Sequence, residues 1–94
     1  MEVMFIAYLV NDGEIMGDSG YDILVKKIDN DMYQELITGD VFKNYRDSDK
    51  GLSIILCNRI DPNYHHKYID EYLRYEEGRV RSIIGKMKKK KLTK

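Results

Sequence analysis

Residues 61–91 read DPNYHHKYIDEYLRYEEGRVRSIIGKMKKKK, and the folding of this stretch decides the architecture of the 94-residue chain. Asp61-Pro62 is a helix-start signal. An aspartate side chain accepts from the first free backbone N–H groups, and proline at the first helical position gives up no bond it needed. At about 100° per residue, Tyr64, Tyr68, Tyr72 and Tyr75 fall on one narrow face. Ile69, Leu73, Val80, Ile83, Ile84 and Met87 fall on the adjoining face. Lys67, Asp70, Glu71, Arg74, Glu77, Arg81 and Lys88 occupy the solvent arc. The pattern predicts one long amphipathic helix.

Such a helix is roughly 45 Å long at 1.5 Å per residue, against a radius of gyration of about 12–13 Å for a compact domain of this size. Part of it must bend, overhang or find a partner. Gly78 is the expected bend, since glycine costs about 1 kcal/mol relative to alanine inside a helix, and Gly85 repeats the weakness. The apolar face continues past Gly78 and needs a cover. A second copy of the chain is the simplest one, so a homodimer is expected.

The rest of the chain reads as an antiparallel sheet. Residues 1–10 are apolar on both faces, as in an interior strand. Asp12-Gly13 suits a tight hairpin, with Glu14, Ile15 and Met16 pairing back and a bulge near Gly17; the alternative is a loop. Residues 21–28 form a second strand. Asp29, Asn30 and Asp31 offer caps for a short helix carrying Met32, Tyr33, Leu36 and Ile37. Residues 40–46 alternate weakly as a strand, 46–51 form a polar turn, and 52–60 form another strand. The expected fold is a single α+β domain over residues 1–94. It has a small antiparallel sheet of three to four strands, in the order β-β-α-β-β-α, packed against the long C-terminal helix. Residues 79–94 are its basic helical end.

Composition is that of an ordinary globular domain, 43% hydrophobic and 34% charged. A single cysteine excludes an intrachain disulfide and suits a reducing, cytoplasmic setting. The one long apolar run, residues 3–10, is too short to cross a bilayer. A formal net charge of zero hides a split. Residues 1–63 carry six basic and twelve acidic groups, a net −6; residues 64–94 carry ten and four, a net +6. Abundant Ile, Lys, Asn, Asp and Tyr, with one proline and no tryptophan, fit an AT-rich coding sequence of the kind phages, archaeal viruses and low-GC bacteria carry.

No stretch carries a catalytic or ligand-binding motif in its required context. Gly17-Asp18-Ser19-Gly20 matches the tetrapeptide around a chymotrypsin-type nucleophile. That chemistry needs two barrels and a distant histidine and aspartate, so four small polar residues in a turn is the better reading. His65 and His66 are neighbours on a helix and point about 100° apart, so they cannot share a small ion. His66 and Asp70 have ligand spacing but make only two ligands. Cys57, mid-strand among apolar residues, reads as an inert small hydrophobe. Asp47-Ser48-Asp49-Lys50-Gly51 lacks the further acidic ligands of a calcium loop and reads as a hairpin turn. No phosphate-cradling glycine loop is present, and no metal or cofactor is expected.

Two surfaces remain. The tyrosine column, Tyr64, Tyr68, Tyr72 and Tyr75, offers large contact area with polar tips, as at protein interfaces. The bland alternative is a helix–sheet border with wet hydroxyls. Arg79, Arg81, Lys86, Lys88, Lys89, Lys90 and Lys91 form a basic end that can meet nucleic-acid phosphate; the alternative is a solvated helix terminus. The expected function is therefore a non-enzymatic protein-binding accessory, regulator or inhibitor, of phage, viral or mobile-element type. The second reading is a nucleic-acid-binding protein that uses the basic C-terminal helix.

Overall fold

The computed structural model describes residues 2–16 and 22–92, with side chains through Lys88. The four-residue turn around Ser19, the bulge near Gly17 and the start of the second strand at Tyr21 lie outside the described residues, as do the side chains of Lys89, Lys90 and Lys91.

The apolar first strand is the centre of the sheet. Strand β1 (Met4–Asn11) turns at Asp12 and Gly13, whose φ angles of 51° and 87° are the left-handed pair that a two-residue hairpin requires. The chain then pairs back as β2 (Glu14–Ile15), with Val10 opposite Ile15. Strand β3 (Asp22–Asp29) continues along the same edge of β1, with Ala7 opposite Ile23. The other edge of β1 takes β6 (Leu52–Arg59), with a register shift between Ile6 and Ala7. Both edges of β1 are thus paired, and no residue of β1 is exposed on either face, which accounts for a sequence without a polar side.

Between these partners the chain departs from expectation. The short helix around residue 33 is instead strand β4 (Met32–Glu35), paired antiparallel to β3. Asp29, Asn30 and Asp31 do not cap a helix. They make the hairpin turn, with Asp31 at φ 62° and the Asp29 carboxylate accepting from the Asn30 N–H at 2.7 Å. Tyr33 and Glu35 are buried while Met32 and Gln34 are only partly so. A glutamate on the inward face hid the two-residue period, and the remaining apolar residues mimicked helical spacing.

Strand β5 (Val41–Lys43) follows, with Phe42 opposite Tyr33. The polar turn of residues 46–51 is not a hairpin. It carries the chain to β6, which meets Asn44 through a parallel bridge at Ile54 and accepts the Tyr45 N–H at 2.7 Å. The sheet thus holds six strands rather than three or four, and it curls into a half-barrel.

The C-terminal stretch is two helices, not one. Asp61 accepts from the Asn63 N–H at 2.9 Å and opens a 3-10 turn over Pro62–Tyr64, so the start signal acts as its chemistry suggests. Helix α1 (His65–Tyr75) ends at Glu76, and α2 (Glu77–Leu92) begins at once. The break falls two residues before Gly78, and a carbon added at Gly78 would meet open space. No close approach therefore requires glycine there. After the break, Val80, Ile84 and Met87 seat in the core beside Leu9, Val25 and Ile54. The sheet itself covers the apolar face for which a second copy was invoked, which removes the motive for that expectation. Among the described residues no helix is long and apolar enough to cross a membrane.

Candidate functional site

The site begins where strand pairing stops. Strand β4 covers β3 only from Val25 to Asp29. At residues 22–24 the outer edge of β3 needs other partners, because unpaired backbone groups at a sheet edge are costly or sticky. The segment after β4 supplies one, the Leu36 N–H donating to the Leu24 carbonyl at 3.2 Å, and α2 supplies another. Arg79 of α2 donates from Nη2 to the Asp22 carbonyl at 2.8 Å. Tyr72, from α1, packs into the core with Leu24.

Tyr72 also anchors α1 to a buried carboxylate. Glu35 is fully buried, and its two oxygens accept four hydrogen bonds. The Ile37 and Thr38 N–H groups donate at 2.9 and 2.7 Å, the Thr38 hydroxyl at 2.8 Å and the Tyr72 hydroxyl at 2.5 Å. A buried carboxylate is tolerable only when so satisfied. Burial first, and then the bond to Glu35, push the Tyr72 phenol well above the ordinary tyrosine pKa; Leu24 and Arg79 oppose this weakly. The hydroxyl therefore remains a donor.

Tyr72 is the only buried residue of α1. Between α1 and the sheet lies a groove of about 600 Å³. Ile6, Ile23 and Leu24 form its apolar floor, and Tyr68, Tyr72 and Tyr75 line the helix side. Asp22, Glu71, Glu76 and Arg79 supply its charges. Arg79 is already engaged, with its Nε on Glu76 Oε1 at 2.5 Å.

The structure divides the tyrosine column. Tyr72 is inside, whereas Tyr64, Tyr68 and Tyr75 are 56, 41 and 70% exposed. Tyr68, Tyr72 and Tyr75 meet in the groove; Tyr64 does not line it. Leu73, expected on the core side, is 45% exposed, because the side of α1 that meets the sheet is the one carrying Tyr72 and the half-buried Ile69.

The basic end is divided too. Arg79 belongs to the groove. Arg81 pairs with Glu77 at 3.0 Å and reaches the Ile37 carbonyl at 3.4 Å. Lys88 pairs with Asp40 at 2.9 Å. Lys86 is exposed. Three of the four described cations thus meet acceptors of their own chain, which lowers the positive field that phosphate would meet.

The remaining candidates settle simply. His65 donates from Nε2 to the Ile60 carbonyl at 3.1 Å, and His66 is exposed. Among the described residues no three His, Cys, Asp or Glu side chains converge as a metal site would require. Cys57 is exposed near the end of β6 rather than packed, and partial burial of its sulfur followed by the Asp22 charge pushes its pKa up. That keeps it a poor nucleophile.

Sequence reasoning reached the tyrosines and Arg79 but missed Glu35, Asp22, Glu71 and the apolar floor. A glutamate in an otherwise apolar window was the one available signal. No protein-family model, no curated protein and no solved structure matches this chain, so its function is read from the groove itself.

Proposed function

We propose that this protein is a non-enzymatic binding module, an accessory or regulator that docks a protein partner in the groove between α1 and strands β1 and β3. One observation carries the reading. Helix α1 buries only Tyr72 and leaves Tyr68 and Tyr75 exposed along a preformed groove, with Tyr64 exposed in the turn just before the helix. Monomeric surfaces seldom gather that much aromatic area without using it, and tyrosine gives contact at a low entropic cost. The polar groups buried behind the groove favour binding over chemistry, since the Glu35 oxygens and the Tyr72 hydroxyl are spent on one another and on the 35–38 turn.

The test is capture from a cell lysate on immobilised full chain, compared with a Tyr68→Ala/Tyr75→Ala variant. Both side chains are exposed, so the variant keeps its fold. A partner held by the natural chain and lost by the variant is the expected result. Identical captured sets would remove the groove from the function. Tight, steeply salt-dependent binding of duplex DNA or single-stranded RNA that survives the variant would transfer the function to the basic end.

A further inference from the structure

Resting on the docking reading above, we infer that the groove selects a basic peptide segment of its partner, seating an arginine or lysine side chain between the tyrosine rings and the rim carboxylates. Charge comes first. The groove holds three carboxylates, Asp22, Glu71 and Glu76, against one guanidinium, that of Arg79. Arg79 is committed to Glu76. Among the described residues Asp22 and Glu71 take part in no ion pair, and both are exposed. The opening is therefore net negative, which repels phosphate and acidic peptides and attracts a cation.

The rings make the same selection. Tyr68 and Tyr75 flank Glu71 at i−3 and i+4 on α1, so their faces and that carboxylate share one side of the helix. A cation within about 6 Å of an aromatic face is attracted by its quadrupole. Arg79 shows that the site already suits such a group, since its guanidinium is held by a carboxylate and a strand carbonyl in the same groove. A peptide rather than a small cation is indicated by reach: Tyr64, one turn before Tyr68 and outside the groove, is 56% exposed, and a small molecule seated in the groove would leave it uncovered.

The experiment is an amide-resolved NMR titration of the full chain with capped pentapeptides that carry arginine, lysine, glutamine or glutamate between leucines. Arginine and lysine peptides should shift the signals of Ile23, Leu24, Tyr72 and Arg79 saturably. The glutamate peptide should bind about tenfold more weakly, the scale set by one cation–π contact and a reversed charge. An Asp22→Lys/Glu71→Lys variant, changed only at exposed positions, should reverse that order.

Equal binding of the arginine, glutamine and glutamate peptides at the groove overturns the charge selection while leaving the docking reading in place. Equal binding of spermidine overturns the choice of a peptide. The same signals moving with protein concentration alone make a second copy the occupant, which also overturns it. Shifts elsewhere, or none with any peptide, overturn it outright. The capture experiment with the tyrosine variant then decides the docking reading separately.

Discussion

Helices α1 and α2 follow one another without a linker and look alike on a helical wheel, yet the molecule uses them oppositely. Helix α2 drives Val80, Ile84 and Met87 into the core, at 0, 1 and 4% exposure. Helix α1 buries one tyrosine, whose hydroxyl bonds to a buried glutamate, and rests only the half-buried Ile69 against the core beside it. The difference follows from the side chains. Aliphatic residues at i, i+4 and i+7 make a smooth stripe that a curled sheet can cover. Tyrosines at the same spacing carry hydroxyls that resist full burial, so the helix is tethered at one ring and the others stay at the surface. One helix holds the fold together; the other is presented by it.

The sharpest way to break this contrast is to truncate an aliphatic residue on each helix. Ile84→Ala should cost about 2–5 kcal/mol in urea unfolding, the usual range for a buried large-to-small change. Leu73→Ala should stay within about 0.5 kcal/mol, as exposed positions do. Equal losses would mean that α1 is packed as tightly as α2.

The tether of α1 comes next. Glu35→Gln places an amide among four donors and should cost about 1–3 kcal/mol, because buried donors lose their acceptor. Tyr72→Phe removes only one of those donors and should cost about 0.5–1.5 kcal/mol. The reverse order in thermal or urea unfolding would move the anchor from the glutamate to the ring.

A smaller effect sharpens the account of α2. Burial alone would raise the Asp40 pKa, but Thr38 and Lys88 outweigh it and hold the carboxyl below its ordinary 3.8. The folded value is thus below the unfolded one. The stabilisation is present at neutral pH and is lost as pH falls through that range. Lys88→Met should flatten this acid limb by less than about 1 kcal/mol, since the half-exposed lysine is screened by solvent. An unchanged acid limb would show that the pair adds nothing to α2.

Much of the framework was legible because local chemistry and tertiary demand agreed. The Asp12-Gly13 turn, the doubly apolar β1, the strands before Asp29 and after Gly51, and the Asp61-Pro62 start all formed where their residues favour them. Reading failed where a long-range partner overrode the local pattern. Glu35 broke the alternation of β4 because its carboxylate serves a turn and a helix far along the chain. The helix break fell at Glu76, where no residue announces it. The tyrosines were visible, but a groove made by strands near residues 6 and 23 facing a helix near residue 72 has no trace in any single window.

The double pairing of β1 also orders events during synthesis. Phe5 pairs with Val25 on one side and with Arg59 on the other. As the chain leaves the ribosome, β1 can zip to β3 early, and β4 and β5 can add in turn, each closing a short loop. The far edge of β1 must wait for β6, whose contacts close loops about half the chain long and are slow to form for that entropic reason. Until then the strand that will be the best protected in the native protein is its most exposed hazard for aggregation.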